Sequence, residues 1–167
     1  LAGSAVTFQN NLAGLDRVLD VLEQDAELPT RPGAIAVRRA DTRGAISIRG
    51  MSFSYPVSNV PVLQGIDLDV EAGQTIALVG RSGAGKTTLT NLIARFYDPT
   101  SGSIHLDGRD LREIELNSYR KLLGMVEQDV FLFDGTVRDN IAYARVRSTD
   151  EQVIAAAQAA AADEFIR

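Results

Sequence analysis

Apolar residues recur along this chain at two different periods, and each change of period marks a new element. Leu12, Leu15, Val18, Leu19 and Leu22 fall at helical spacing, with Asn10 or Asn11 placed to cap the helix. Glu27-Leu28-Pro29-Thr30-Arg31-Pro32-Gly33 then breaks the pattern and reads as a linker. From Ala45 to Val70 the pattern becomes strand-like, with Ile46, Ile48, Met51 and Phe53 before Tyr55-Pro56, and Val62-Leu63 and Ile66 to Val70 after it. The apolar run Thr75-Ile76-Ala77-Leu78-Val79 predicts a buried strand. Helical spacing returns over Lys86 to Phe96, with Leu89, Leu92, Ile93 and Phe96 on the buried side. Tyr97 to Gly102 stops that helix. Ser103 to Leu106 predicts a short strand, Asp107-Gly108 a turn, and Leu122 to Val126 another strand. Thr136 to Ile141 predicts a helix, and Ser148 with Glu151 a capping box before an alanine-rich one.

The chain has 167 residues, enough for one domain with a sizeable core and short for two. It contains no cysteine, which excludes disulfides and thiolate metal sites. Seventeen basic against 22 acidic residues give a formal charge of -5, so nothing points to a nucleic-acid partner. No apolar run approaches the ~18 residues that a membrane span requires. Leu1 to Asn10 lack the basic-then-apolar order of a signal peptide.

The strongest chemical signal is Gly80-Arg81-Ser82-Gly83-Ala84-Gly85-Lys86-Thr87-Thr88, placed between a predicted strand and a predicted helix. Such a loop must aim several backbone N–H groups at one set of phosphate oxygens, so Cβ atoms must be kept out of the way. Gly80, Gly83 and Gly85 are expected to supply that freedom, with Ser82 and Ala84 completing the cradle. The helix that starts at Lys86 adds its positive end. Lys86 is expected at the terminal phosphates, the Thr87 hydroxyl on Mg²⁺ and Thr88 at the phosphate nearest the ribose. Hydrolysis needs a further acidic contact. Val130-Phe131-Leu132-Phe133-Asp134 offers one, but Asp134-Gly135 equally reads as a plain turn.

From about residue 45 to its end, and more loosely over 1–32, the chain resembles the nucleotide-binding domain of an ATP-binding-cassette exporter with a fused membrane domain. The resemblance rests on the phosphate loop, on Phe53-Ser54-Tyr55-Pro56, on Phe96 to Gly108, and on Leu122 to Ile141. It implies an α/β fold: a three-layer phosphate-loop core, an antiparallel edge sheet and an incomplete helical subdomain. It implies a juncture helix and linker over 1–32, the core over 33–127 and the start of the helical subdomain over 128–167. Tyr55 becomes the adenine platform, against the plainer reading of an edge-strand tyrosine. Gln128 matches the family's glutamine near Mg²⁺ and the attacking water. Asp134 falls in the connecting loop, which removes it as the acidic strand end. The stretch after Gln128 includes the surface that such exporters dock on their membrane domain. ATP and Mg²⁺ are the implied cofactors. A second nucleotide-binding domain in a head-to-tail dimer and a transmembrane domain are the implied partners, at the cytoplasmic face of a membrane.

The family's signature of the Leu-Ser-Gly-Gly-Gln kind does not occur in this sequence, nor do its later acidic strand and switch histidine. His105 matches a structural strand rather than a catalytic base. The resemblance therefore implies one half of a composite ATP site, in a chain that stops inside the helical subdomain and turns over little ATP alone. One alternative is a non-catalytic regulatory module that binds nucleotide. Another is a small kinase using Arg138, Arg145 and Arg147 as a lid.

Overall fold

The computed structural model describes Leu15, Val18, Leu19, Leu28 and residues 31–56, 58, 60–126, 131–145 and 147–166. The chain divides into two compact units, Leu1–Gly124 and Met125–Arg167. Leu15, Val18 and Leu19 are helical and exposed; the rest of the first predicted helix lies outside the described residues.

In the first unit, four antiparallel strands form a sheet in the order β2-β1-β3-β4. They are β1 (Ile46–Ser54), β2 (Pro61–Val70), β3 (Ser101–Leu106) and β4 (Arg109–Asp110). In β1 the buried side chains step by three between Ile48 and Met51, which a strict two-residue period does not allow. A bulge absorbs the extra residue. Gly50 takes φ +49°, and its N–H donates to the Asp67 carboxylate at 2.8 Å. Gly102 passes directly beneath this kink. A Cβ there would sit 2.4 Å from the Arg49 carbonyl oxygen, so only glycine fits.

Helix α1 (Lys86–Ile93) packs Leu89 and Leu92 into one core with Ile48, Met51, Phe53, Leu63 and Ile104. Helix α2 (Leu116–Arg120) adds the fully buried Tyr119. The segment that follows the expected linker is pinned onto this unit: Ile35 bridges Ile114, and the Val37 N–H donates to Ser118 Oγ at 3.0 Å.

Helix α1 stops earlier than the apolar spacing suggests. Arg95 enters the left-handed region at φ +55°, and the Phe96 N–H donates to the Asn91 carbonyl at 2.9 Å. That is the 6→1 bond of a Schellman turn, with arginine where glycine usually stands. The Arg95 guanidinium is 1% exposed; it pairs with Asp98 at 3.1 Å and donates to the Ile114 carbonyl at 2.8 Å. Phe96 is consequently carried past the helix and lies exposed, 5.2 Å beneath the Arg120 guanidinium.

The predicted strands at 75–79 and 122–126 do not form. Among the described residues no strand pairs with either, and an extended segment without a ladder partner leaves its backbone groups to water. Ile76, Leu78 and Val79 are exposed, as are Met125 and Val126.

The second unit holds α3 (Val137–Ala142), α4 (Asp150–Ala159) and α5 (Asp163–Ile166). Thr136 and Asp139 form a capping box on α3, and Thr149 and Gln152 form one on α4. The α4 cap is therefore one residue beyond the expected Ser148–Glu151 pair. Ser148 instead gives its carbonyl to Arg138, whose guanidinium also pairs with Asp150 at 2.6 Å and ties α3 to α4.

Candidate functional site

The turn from Gly80 into α1 brings most of the expected site residues together. Gly83 and Gly85 adopt φ +80° and +85°, a backbone that side-chain-bearing residues rarely enter. Gly80 is different: its φ is not left-handed, and a Cβ there would crowd Ala84 Cβ at 3.3 Å. Its glycine answers to space rather than to backbone angle. Gly85 answers to both, because a Cβ would meet Leu63 Cδ2 at 2.7 Å where the loop seats against β2.

Most backbone donors of this loop find no backbone acceptor among the described residues. From Ser82 to Leu89, only Ala84 and Leu89 find backbone acceptors, at Arg81 (3.1 Å) and Gly85 (2.9 Å). Among the described residues, the N–H groups of Ser82, Gly83, Gly85, Lys86, Thr87 and Thr88 have none. Consecutive unpaired donors at the start of a helix make a positive concavity suited to an anion.

Lys86 lies within that turn. Its ammonium donates to the carbonyls of Gly80 and Arg81, each at 2.9 Å, so the loop closes on its own lysine. An incoming anion competes for those donors. The Thr87 side chain is exposed, and its hydroxyl makes no hydrogen bond to another described residue. The described residues contain no cluster of three or more acidic or histidine side chains able to hold a metal. A lone hydroxyl beside an anion cradle suits Mg²⁺ carried largely by phosphate oxygens, because that ion keeps few protein ligands in such sites.

Thr88 is buried, with its hydroxyl 3.1 Å from the Tyr55 hydroxyl. The Tyr55 ring stands nearly perpendicular to those of Phe53 (centroids 4.9 Å, 79°) and Tyr97 (5.3 Å, 88°). Tyr55 is thus joined directly to the phosphate-loop helix. Sequence reasoning passed over Tyr97 because it reads as part of a helix stop, and no local signal links it to a tyrosine 42 positions upstream. Gln128 lies outside the described residues. Residues 131–133 form no strand, and Asp134-Gly135 is a bend. His105 sits in β3 opposite Asp110, its Nδ1 buried without a hydrogen-bond partner among the described residues.

Residues 63–166 match the family model described as ABC transporter. The chain belongs to the ABC transporter family. An ATP-dependent lipid A-core flippase from Syntrophus aciditrophicus is 43% identical over 160 residues, covering 96% of this chain and 26% of the relative. A fatty acid ABC transporter ATP-binding/permease protein from Mycobacterium bovis is 39% identical over 166 residues, covering 99% of this chain and 26% of the relative. A solved bacterial Atm1-family ABC exporter with ATP bound superposes with a TM-score of 0.79 at 35% identity, over 96% of this chain and 28% of that one. The fold is accordingly that of an ABC-exporter nucleotide-binding domain, with the antiparallel sheet as its edge. The chain spans about a quarter of the length of these ABC relatives. Among the described residues no helix is long and apolar enough to cross a membrane.

Proposed function

We propose that this chain binds Mg²⁺-ATP and forms part of a larger exporter that couples ATP binding and hydrolysis to solute movement across a membrane. The run of unpaired N–H donors from Ser82 to Thr88 carries this reading. It is a site already shaped for a polyphosphate, preceded by a tyrosine that a flat base can stack on. Gly80, Ser82, Gly83, Ala84 and Gly85 frame the phosphates, Lys86 trades its two carbonyl partners for the terminal phosphates, and Thr88 serves the phosphate nearest the ribose. Thr87 and Gln128 would hold Mg²⁺, which when bound offsets charge on the terminal phosphates. Gln128 also matches, in sequence, the glutamine by which the family positions water.

The complementary half of the composite site, with its signature motif, would come from a second nucleotide-binding domain placed head to tail. The chain alone therefore turns over little ATP. In the second unit Phe131, Leu132, Phe133 and Tyr143 are exposed, and Phe133 stacks on Tyr143 at 3.9 Å. Asn140, in α3, fixes that loop by accepting from the Phe133 N–H at 2.8 Å and donating to its carbonyl at 3.0 Å. Held this way, the aromatic surface suits docking on the cytoplasmic side of a membrane domain.

Titrating Mg²⁺-ATP against the protein and Lys86→Ala tests the site. Loss of one charge-assisted contact should weaken binding by about tenfold or more. Equal affinities would refute the role of Lys86. Tight binding without turnover, even beside an intact partner domain, would favour the regulatory-module reading.

A further inference from the structure

A stacking platform is useful only if its plane is already set, because a ring free to turn about two side-chain torsions loses that freedom when a base lands on it. Tyr55 is restrained from several directions. Phe53, 3% exposed and fixed in the core, stands at 79° to it. The Thr88 hydroxyl, in the first turn of α1, meets its hydroxyl. Tyr97, just beyond the last turn of α1, stands at 88° to it. The position of Tyr97 is itself determined, since the Schellman turn at Arg95 and the Arg95–Asp98 ion pair lock the segment that carries it.

Tyr55 is therefore touched by the first turn of α1 and by the segment held just beyond its last turn, while the N-terminus of the same eight-residue helix opens onto the phosphate cradle. From this we infer that Tyr97 is a positioning residue for the nucleobase. Its ring holds the Tyr55 plane, and α1 acts as a rigid strut, about 12 Å long, that fixes the base platform relative to the phosphate loop. The inference rests on the reading of Tyr55 as the adenine platform. It adds that base affinity depends on a side chain that need not touch the nucleotide.

The test compares ATP with inorganic tripolyphosphate, which carries the phosphates without the base, on the protein and its variants. Tyr97→Phe keeps the ring and should bind ATP within about twofold of the unsubstituted protein. Tyr97→Leu removes the ring and should weaken ATP by about 3- to 10-fold, the scale of one aromatic pair, and leave tripolyphosphate unchanged. Tyr55→Ala should weaken ATP at least as much, and adding Tyr97→Leu to it should cost nothing further. Should Tyr97→Leu fail to fold, Tyr97→Met, which fills more of the same space without a ring, carries the same expectation.

Loss of ATP and tripolyphosphate affinity together would overturn the inference, because it would show a structural defect in the loop. So would unchanged ATP affinity in Tyr97→Leu while Tyr55→Ala still binds weakly, and that outcome would leave the platform reading intact. No effect of Tyr55→Ala would overturn both.

Discussion

The core of the first unit and the aromatic loop of the second use their large apolar side chains in opposite ways. In the first, Ile48, Met51 and Leu92 are completely buried between the antiparallel sheet and α1. In the second, Phe131 and Leu132 are more than 70% exposed, and Phe133 and Tyr143 are stacked yet also exposed. Burial holds the first unit together. The second owes much of its local order to polar bonds: two capping boxes, the Arg138–Asp150 pair and the Asn140 clamp on Phe133. Apolar side chains held outward by polar bonds are available to a partner in a way that core residues are not.

The largest effect expected from this contrast is in the first core. Leu92→Ala should lower unfolding stability by about 2–5 kcal/mol, because a fully enclosed site cannot collapse around the lost atoms. Chemical denaturation measures this directly. A cost below about 1 kcal/mol would mean that α1 packs loosely, and would also undercut its role as a strut.

Much of this arrangement is legible in the sequence, and the failures have physical causes. Alternating residues in Ile46–Ser54 and Pro61–Val70, and the helical face of Leu89 and Leu92, announce their elements because their partners lie in the same unit. Gly83 and Gly85 read correctly since left-handed backbone selects glycine strongly. Gly80 read less well, because glycine can also be demanded by a neighbour, and Ala84 is invisible to a local pattern. The early end of α1 was hidden because Arg95 takes a position that glycine normally signals, supported by an ion pair formed only in the fold. Thr75 to Val79 reads as a strand on composition alone. Pairing, which composition does not encode, decides whether such a run becomes one.

A smaller effect separates the sheet's polar stitching from its apolar core. Asp107 closes the β3–β4 turn and accepts N–H bonds from Arg43 (2.8 Å) and Ala45 (2.9 Å), as well as from Gly44. Partial desolvation works against its charge, but the three backbone bonds and the nearby Arg43 charge outweigh it and hold its pKa below the ordinary carboxylate value. A depressed native pKa stabilises the fold at pH values above the unfolded-state pKa of about 3.9. That stabilisation fades as pH falls through the lower native value. Asp107→Asn should therefore cost about 1 kcal/mol at neutral pH, allowing for solvent screening at this exposed position. The difference between the two proteins should shrink below about pH 4. A gap that stays constant from pH 7 to pH 3 would assign the cost to shape instead of charge.

The smallest expected change in stability is at Leu132, and it tests the contrast most directly. Leu132→Ser should shift unfolding by no more than about 0.5 kcal/mol, because an exposed side chain loses little burial when it is shortened. If the aromatic loop docks on a membrane domain, the same change should still reduce stimulation of ATP turnover by transported solute in the whole exporter, with ATP affinity unaltered. Asn140→Ala should have a similar functional effect by another route, since it releases Phe133 while leaving every exposed apolar atom in place. Agreement between a variant that removes surface and one that removes only its support would identify the fixed geometry of the patch as what a partner reads. A Leu132→Ser protein that unfolds more easily by several kcal/mol would instead make this residue part of a core, and the difference between the two units would disappear.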